Sequence, residues 1–294
     1  MTVGPEYWQS AVFGLLSPDA IRRQLIHRVL AYLQDAGLAV SGWQPTRVTG
    51  QQVDEVARIQ HAGAGETFRY RALDALFALG PSIALRLTDN RGRQAEEFYA
   101  AAKSVKGGIP QNSPAGTLRR DLGSVNVVMS LLHLSDNPDN AAMESSVMLG
   151  PGFEDRWLPG QELHSYTTAL ELTQAKETRG FNEVLAAVRG RIICSLWPYL
   201  TSAGKALAVE LAQRGELADP KAGTLIAAET REPGNLRPLA ELLCLAFDSS
   251  MPPVDVADVQ RVLGLHRCEL DPWEYAVLAT STYFEPIRVF DNFA

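Results

Sequence analysis

In the first 150 residues, short apolar runs of strand length alternate with segments of helical periodicity. This alternation restricts the fold more than any other feature. Ala11–Leu16 (AVFGLL) reads as a buried strand. Ser17-Pro18-Asp19 follows as a helix start, with Ser as N-cap, Pro at the first helical position and Asp in the first turn. Ile21, Leu25, Ile26, Val29, Leu30 and Leu33 then repeat with the helical period, and Gly37 ends the helix. Leu38–Val48 is a second strand, which Pro45 places near an edge or a bulge. Helical pieces near 51–60 and 67–79 lead to a third strand at Ser82–Thr88, a turn at Asp89-Asn90-Arg91-Gly92 and a helix over Gln94–Lys103. Residues 104–118 form a Gly- and Pro-containing loop of a length that usually carries function. Val125–Leu132 is predicted as a fourth strand with His133 just past its end, and Ala141–Met148 as a closing helix. This order implies an α+β fold, an antiparallel sheet with helices layered on one face.

The texture changes at PGFEDRWLPG, residues 151–160, which is expected to separate a domain at 1–150 from a mainly α-helical one at 151–294. The second half offers helices near 161–178, 181–196, 203–214, 236–247, 255–263 and 272–283. Pro198 and Pro220 are expected to end segments, and Asp271-Pro272 to start one. Nothing in residues 151–294 points to a role beyond a helical layer.

The net charge of −7 speaks against a nucleic-acid binder, which usually shows a basic face. Cys194, Cys244 and Cys268 have neither metal-ligand nor CxxC spacing and read as reduced thiols. No apolar run reaches the ~18 residues of a membrane span, and MTVGPEYWQS lacks the features of a signal peptide. A cytoplasmic location is therefore expected.

The stretch from Thr117 to Glu144 concentrates the chemistry. It places Arg119 ahead of an apolar run, His133 at the end of that run, Ser135 and Asp136 directly after, and Glu144 eleven residues beyond the His. In this the first half, over roughly residues 8–150, resembles the nucleoside diphosphate kinase family. That family's Pro-Gly-Thr-Ile-Arg-Gly-Asp is similar to Pro114–Asp121, with Ala115 inserted, and its Asn-x-x-His-Gly-Ser-Asp to Ser130–Asp136. Its Lys-Pro-Asp after the first strand resembles Ser17-Pro18-Asp19.

The resemblance implies a ferredoxin-like core, a phosphate-accepting His133, and Glu144 orienting it directly or through Ser135. It also implies phosphate or nucleotide contacts from Arg119 and Thr117 and from the positions of Ser17 and Ser130. Mg²⁺ is expected to come with a nucleotide such as ATP, and a homo-oligomer is a further expectation. Arg22, Arg23, Lys103, Lys106 and Arg120 offer either a phosphate-attracting rim, with Arg23 a nucleotide-binding candidate, or a scattered solvated set. Phe68 or Tyr70 is the candidate for stacking on a base.

The departures are specific. Ser17 stands for the family's Lys and Ser130 for its Asn, and Leu134 stands for the Gly after the His, where its bulk is expected to crowd the site. A second phosphate-binding Arg has no counterpart, with Lys103 and Lys106 as substitutes. Three readings fit: a kinase with substitute contacts, a phosphohistidine phosphotransferase with a changed donor or acceptor, and an inactive nucleotide- or partner-binding module. Arg179, Arg189, Arg191 and Lys205 of the second half are available as replacement cations.

Overall fold

A computed structural model describes residues 4–60, 67–231, 236–247, 255–284 and 286. The chain divides into two compact units, with the change at Thr178/Arg179.

The first unit is built on a five-stranded sheet, among the described residues, of order β4-β1-β3-β2-β5 with every pairing antiparallel. Strand β1 (Ala11–Leu16) is buried throughout and pairs with both β3 (Ser82–Asp89) and β4 (Leu132–Leu134), as a wholly apolar run demands. Large aliphatic and aromatic side chains such as Phe13, Leu15, Leu85 and Leu87 are at most 2% exposed. Each such burial is worth about 1.5–3 kcal/mol. Strand β2 (Leu38–Thr46) carries a bulge between Val40 and Gly42. Its Pro45 lies opposite Ile83, beyond the short pairing of Gly42 and Trp43 with β5 (Leu158–Pro159), so the missing N–H costs no ladder bond on that open edge.

The helix expected after Ser17 is two helices, α1 (Pro18–Arg22) and α2 (Ile26–Asp35). Gln24 between them is left-handed at φ +53°, and its side-chain amide donates to the carbonyls of Glu171 and Gln174. These tertiary bonds override a pattern that was helical throughout. Ile26, Val29 and Leu33 of α2 face the core, as their spacing requires. Helices α3 (Gly50–Gln60) and α4 (Thr67–Phe77) follow, then α5 (Ala95–Lys106), the single turn α6 (Leu118–Asp121) and α7 (Pro138–Leu149).

The first unit runs past the expected boundary at residue 150. The peptide read as a linker contributes β5, and Trp43 Nε1 donates to the Pro159 carbonyl at 3.0 Å. Phe153 and Leu163, the latter in α8 (Leu163–Leu172), belong to the same core as Trp8 and Phe13. Glu177 N–H donates to the Arg22 carbonyl at 2.8 Å. Backbone pairing and burial, rather than Gly and Pro content, hold residues 151–178 to the sheet unit.

The second unit is helical, with α9 (Phe181–Leu196), α10 (Ser202–Gln213), α11 (Pro220–Ala228), α12 (Arg237–Leu243), α13 (Val256–Leu265) and α14 (Pro272–Ser281). Pro220 begins a helix instead of ending one: Asp219 caps it by accepting the Lys221 N–H at 2.7 Å, and Pro at the first position has no donor to lose. Within this unit the fully buried Arg189 donates to the carbonyls of Leu217, Asp219 and Leu245. No helix among the described residues is long and apolar enough to cross a membrane.

Candidate functional site

The predicted strand Val125–Leu132 does not form. Asn126 Oδ1 accepts the N–H groups of Val128 and Met129 at 3.0 and 2.9 Å, and Val125 N–H donates to the Met129 carbonyl. This side-chain-driven turn competes with strand pairing. Leu131 is left-handed at φ +69°, and β4 starts only after it, with His133 at its centre opposite Leu15.

Alternation along β4 buries Leu132 and Leu134 completely and leaves the His133 side chain 40% exposed. Leu134 therefore does not crowd the cleft. It packs over Gly14, where a Cβ would stand 3.0 Å from its Cδ2.

Helix α7 brings the partner of His133. Asn137 caps it, accepting the Asn140 N–H at 2.8 Å, and Pro138 takes the first position. Its inner face carries Ala141, Ala142, Glu144 and Ser145 into the interior. Glu144 Oε2 lies 2.7 Å from His133 Nε2 and also accepts the Ser135 hydroxyl. A carboxylate only 1% exposed thus holds one ring nitrogen and leaves Nδ1 as the other.

His133 and Glu144 line a cavity of about 220 Å³ with Arg119, Ser17 and Ser130. Its apolar wall comes from Leu15, from Val53, Val56 and Ala57 of α3, from Leu73, Leu76 and Phe77 of α4, and from Val127, Val128 and Met148. In sequence these wall residues signalled only amphipathic helices and an apolar run. The side chains of Phe68 and Tyr70 lie outside the described residues.

Arg119 on α6 is 8% exposed and donates to the carbonyls of Gly108 and Leu132 at 3.1 and 3.4 Å. Its Nε is buried without a hydrogen-bond partner. Burial lowers the guanidinium to about 10, against the pull of Asp136 and Asp19, so it stays cationic near neutral pH.

The other candidates are placed differently. Ser17 lines the cavity, but its hydroxyl donates to Asp19 Oδ1 at 2.5 Å. Thr117 and Arg23 do not line it: Thr117 Oγ1 donates to the Pro114 carbonyl at 2.8 Å and Arg23 to that of Gly123 at 2.6 Å. Arg22 and Arg120 donate to the carbonyls of Leu79 and Ser113. The cations named in the second half are engaged within their own unit. Arg179 and Arg191 meet the buried Glu274, Arg189 its three carbonyls, and Lys205 the Trp197 ring.

Lys103 and Lys106 both approach Asp136 at 3.8 Å, and Lys106 Nζ donates to the Leu134 carbonyl at 2.8 Å. Burial, aided by Arg119, lowers Lys106 to about 8. Below that pH both folded and unfolded states hold the proton, and the cost of burying the ammonium is present in full. Between about 8 and 10.5 only the unfolded state holds it, so the stability contributed here rises with pH. Urea midpoints are expected to show the protein gaining stability relative to Lys106→Met across that window. A pH-independent difference would count against the ammonium's burial.

No group of three His, Cys, Asp or Glu side chains that could hold a metal occurs among the described residues. Glu144 is committed to His133 and Ser135, and Asp136 to two lysines.

Residues 11–152 match the family model described as nucleoside diphosphate kinase. Nucleoside diphosphate kinase of Mycolicibacterium gilvum (strain PYR-GCK) is 30% identical over 149 residues, covering 50% of this chain and 94% of that protein. The enzyme of Geobacter sp. (strain M21) is 29% identical over 133 residues, 45% of this chain and 89% of the relative. A crystal structure of nucleoside diphosphate kinase from Encephalitozoon cuniculi overlaps 48% of this chain and 89% of its own, at 21% identity and a TM-score of 0.39. The 30% identity to a relative matched over 94% of its length, together with the family match over residues 11–152, makes this chain, through its N-terminal unit, a member of the nucleoside diphosphate kinase family.

Proposed function

We propose that the first unit transfers the terminal phosphoryl group of a nucleoside triphosphate through a phosphohistidine at His133. The observation that carries this reading is the half-exposed imidazole on a cavity wall, held at Nε2 by a buried carboxylate 2.7 Å away. With Nε2–H donated to Glu144, Nδ1 carries the lone pair. Its attack forms the N–P bond as the bond from the terminal phosphorus to the bridging oxygen breaks, and the nucleoside diphosphate leaves. The positive charge that develops on the ring is balanced by Glu144, which Ser135 keeps in place. The reverse step returns the phosphoryl group to an acceptor diphosphate.

Arg119, which lines the cavity and keeps its charge there, supplies the cation for an equatorial phosphate oxygen. Mg²⁺ on the nucleotide would neutralise phosphate charge. The apolar wall from α3 and α4 suits the flat body of a base.

Incubation with γ-labelled ATP and Mg²⁺ tests this. An acid-labile, base-stable label that maps to His133 and is discharged by an unlabelled diphosphate is expected. Absence of label, or a label elsewhere, would sink the reading.

A second reading, a nucleotide-binding module without transfer, is favoured by Ser17 being spent on Asp19 and by Arg119 being largely tied to carbonyls. Calorimetric nucleotide binding with no label would select it.

A further inference from the structure

We propose that Asp19 is a positioning residue that sets the register and direction of His133 by holding Leu131. This rests on the reading of His133 as the phosphoryl acceptor. Asp19 is 1% exposed and lies just past the end of β1. Its Oδ1 accepts the Ser17 hydroxyl at 2.5 Å, and its Oδ2 accepts the Leu131 N–H at 3.1 Å, across 112 residues of sequence. In return Ser17 N–H donates to the Leu131 carbonyl at 3.2 Å. Two bonds therefore clasp the β1–α1 turn to one residue of the loop before β4, and the Ser17 hydroxyl holds the carboxylate that makes one of them.

That residue is the strained one. Leu131 is left-handed at φ +69°, a conformation that a Cβ-bearing, γ-branched residue takes only when its surroundings impose it. It is also fully buried, so its N–H has no water to turn to. The Asp19 carboxylate supplies the acceptor that makes the left-handed turn satisfiable.

The consequence falls two residues later. Strand β4 is only three residues long, with Leu132, His133 and Leu134 opposite Leu16, Leu15 and Gly14. So short a strand has little register of its own, and a slip by one residue would turn His133 into the core and a leucine onto the cavity. The Leu131 clasp at one end, and the Ser135 N–H bond to the Phe13 carbonyl at 3.0 Å at the other, pin it. The same loop carries Val127, Val128 and Ser130 to the cavity, so Asp19 also shapes that wall without lining it.

The test uses the full chain with two readouts. One is the single-turnover rate of His133 labelling by γ-labelled ATP and Mg²⁺. The other is the pair of imidazole ¹⁵N resonances that report the hydrogen bond to Glu144, which needs no activity. Asp19→Ala is expected to slow labelling ~100-fold, the scale of a displacement of about 1 Å at a reacting group, and to abolish the Nε2 hydrogen-bond signature. Asp19→Asn keeps the shape and an acceptor for Leu131, and is expected to retain the signature and label within about threefold of the parent, a cost far short of a lost positioning contact.

The proposal is overturned if Asp19→Ala folds with the signature unchanged, or if a folded Asp19→Asn loses it. Should Asp19→Ala not fold, Asp19→Asn alone decides. If the parent chain takes no label, the phosphohistidine reading fails, while the resonances still decide the role of Asp19.

Discussion

Glu144→Ala is expected to slow phosphorylation of His133 by ~100-fold or more, the scale seen when the group that orients a catalytic imidazole is lost. Glu144 accepts both the His133 Nε2 proton and the Ser135 hydroxyl. Without it the ring is free to rotate, both tautomers become populated, and nothing balances the charge that develops when Nδ1 takes the phosphoryl group. Glu144→Gln keeps the shape and one acceptor oxygen but adds a donor where only acceptors are wanted, so it should fall between, about tenfold down. Single-turnover labelling with γ-labelled ATP measures both, with His133→Ala defining the background. A Glu144→Ala protein that labels within twofold of the parent would show that the carboxylate does not act on the ring.

The second large effect lies in the helical unit and concerns stability. Arg189→Ala is expected to destabilise that unit by about 3–5 kcal/mol. Arg189 is 1% exposed and donates to Leu217 and Asp219 at 2.7 Å each and to Leu245 at 2.9 Å. Its fork joins the start of α11 to the segment after α12, and truncation takes the donor from three carbonyls in part-buried bonds and leaves a cavity. Close packing around it leaves little room for repair: a Cβ on Gly223 of α11 would meet the Leu243 carbonyl at 1.6 Å. Arg189→Lys should lose less but not be neutral, because a single ammonium cannot reproduce a planar fork. Hydrogen exchange read over residues 181–228 measures the change, and unchanged protection in Arg189→Ala would refute the clasp.

Much of the first unit was legible because its strands are defined by local pattern. Ala11–Leu16 and Ser82–Thr88 are apolar runs long enough to be buried on both faces, and both formed within one residue of the reading. The stripe of Ile26, Val29 and Leu33 was legible for the same reason. The fourth strand was not, because Val125–Leu132 has the right composition while Asn126 diverts its backbone into a turn. Pro220 was misread because a proline that ends one helix and one that begins the next look alike until the cap at Asp219 is known.

The order of residues in Thr117–Glu144, through its resemblance to the family's motifs, pointed to His133, Glu144 and Arg119, and the folded chain brings all three to one cavity. What the sequence could not decide is which of the further candidates share a cavity. Thr117 and Arg23 spend their donors on carbonyls away from it, Ser17 spends its hydroxyl on Asp19, and Leu134 turns into the core over Gly14. The bonds of Thr117 and Ser17 are local, but Arg23 on Gly123 and Leu134 over Gly14 join segments 100 or more positions apart. Only the folded chain makes such contacts, and only it decides which side chains share the cavity.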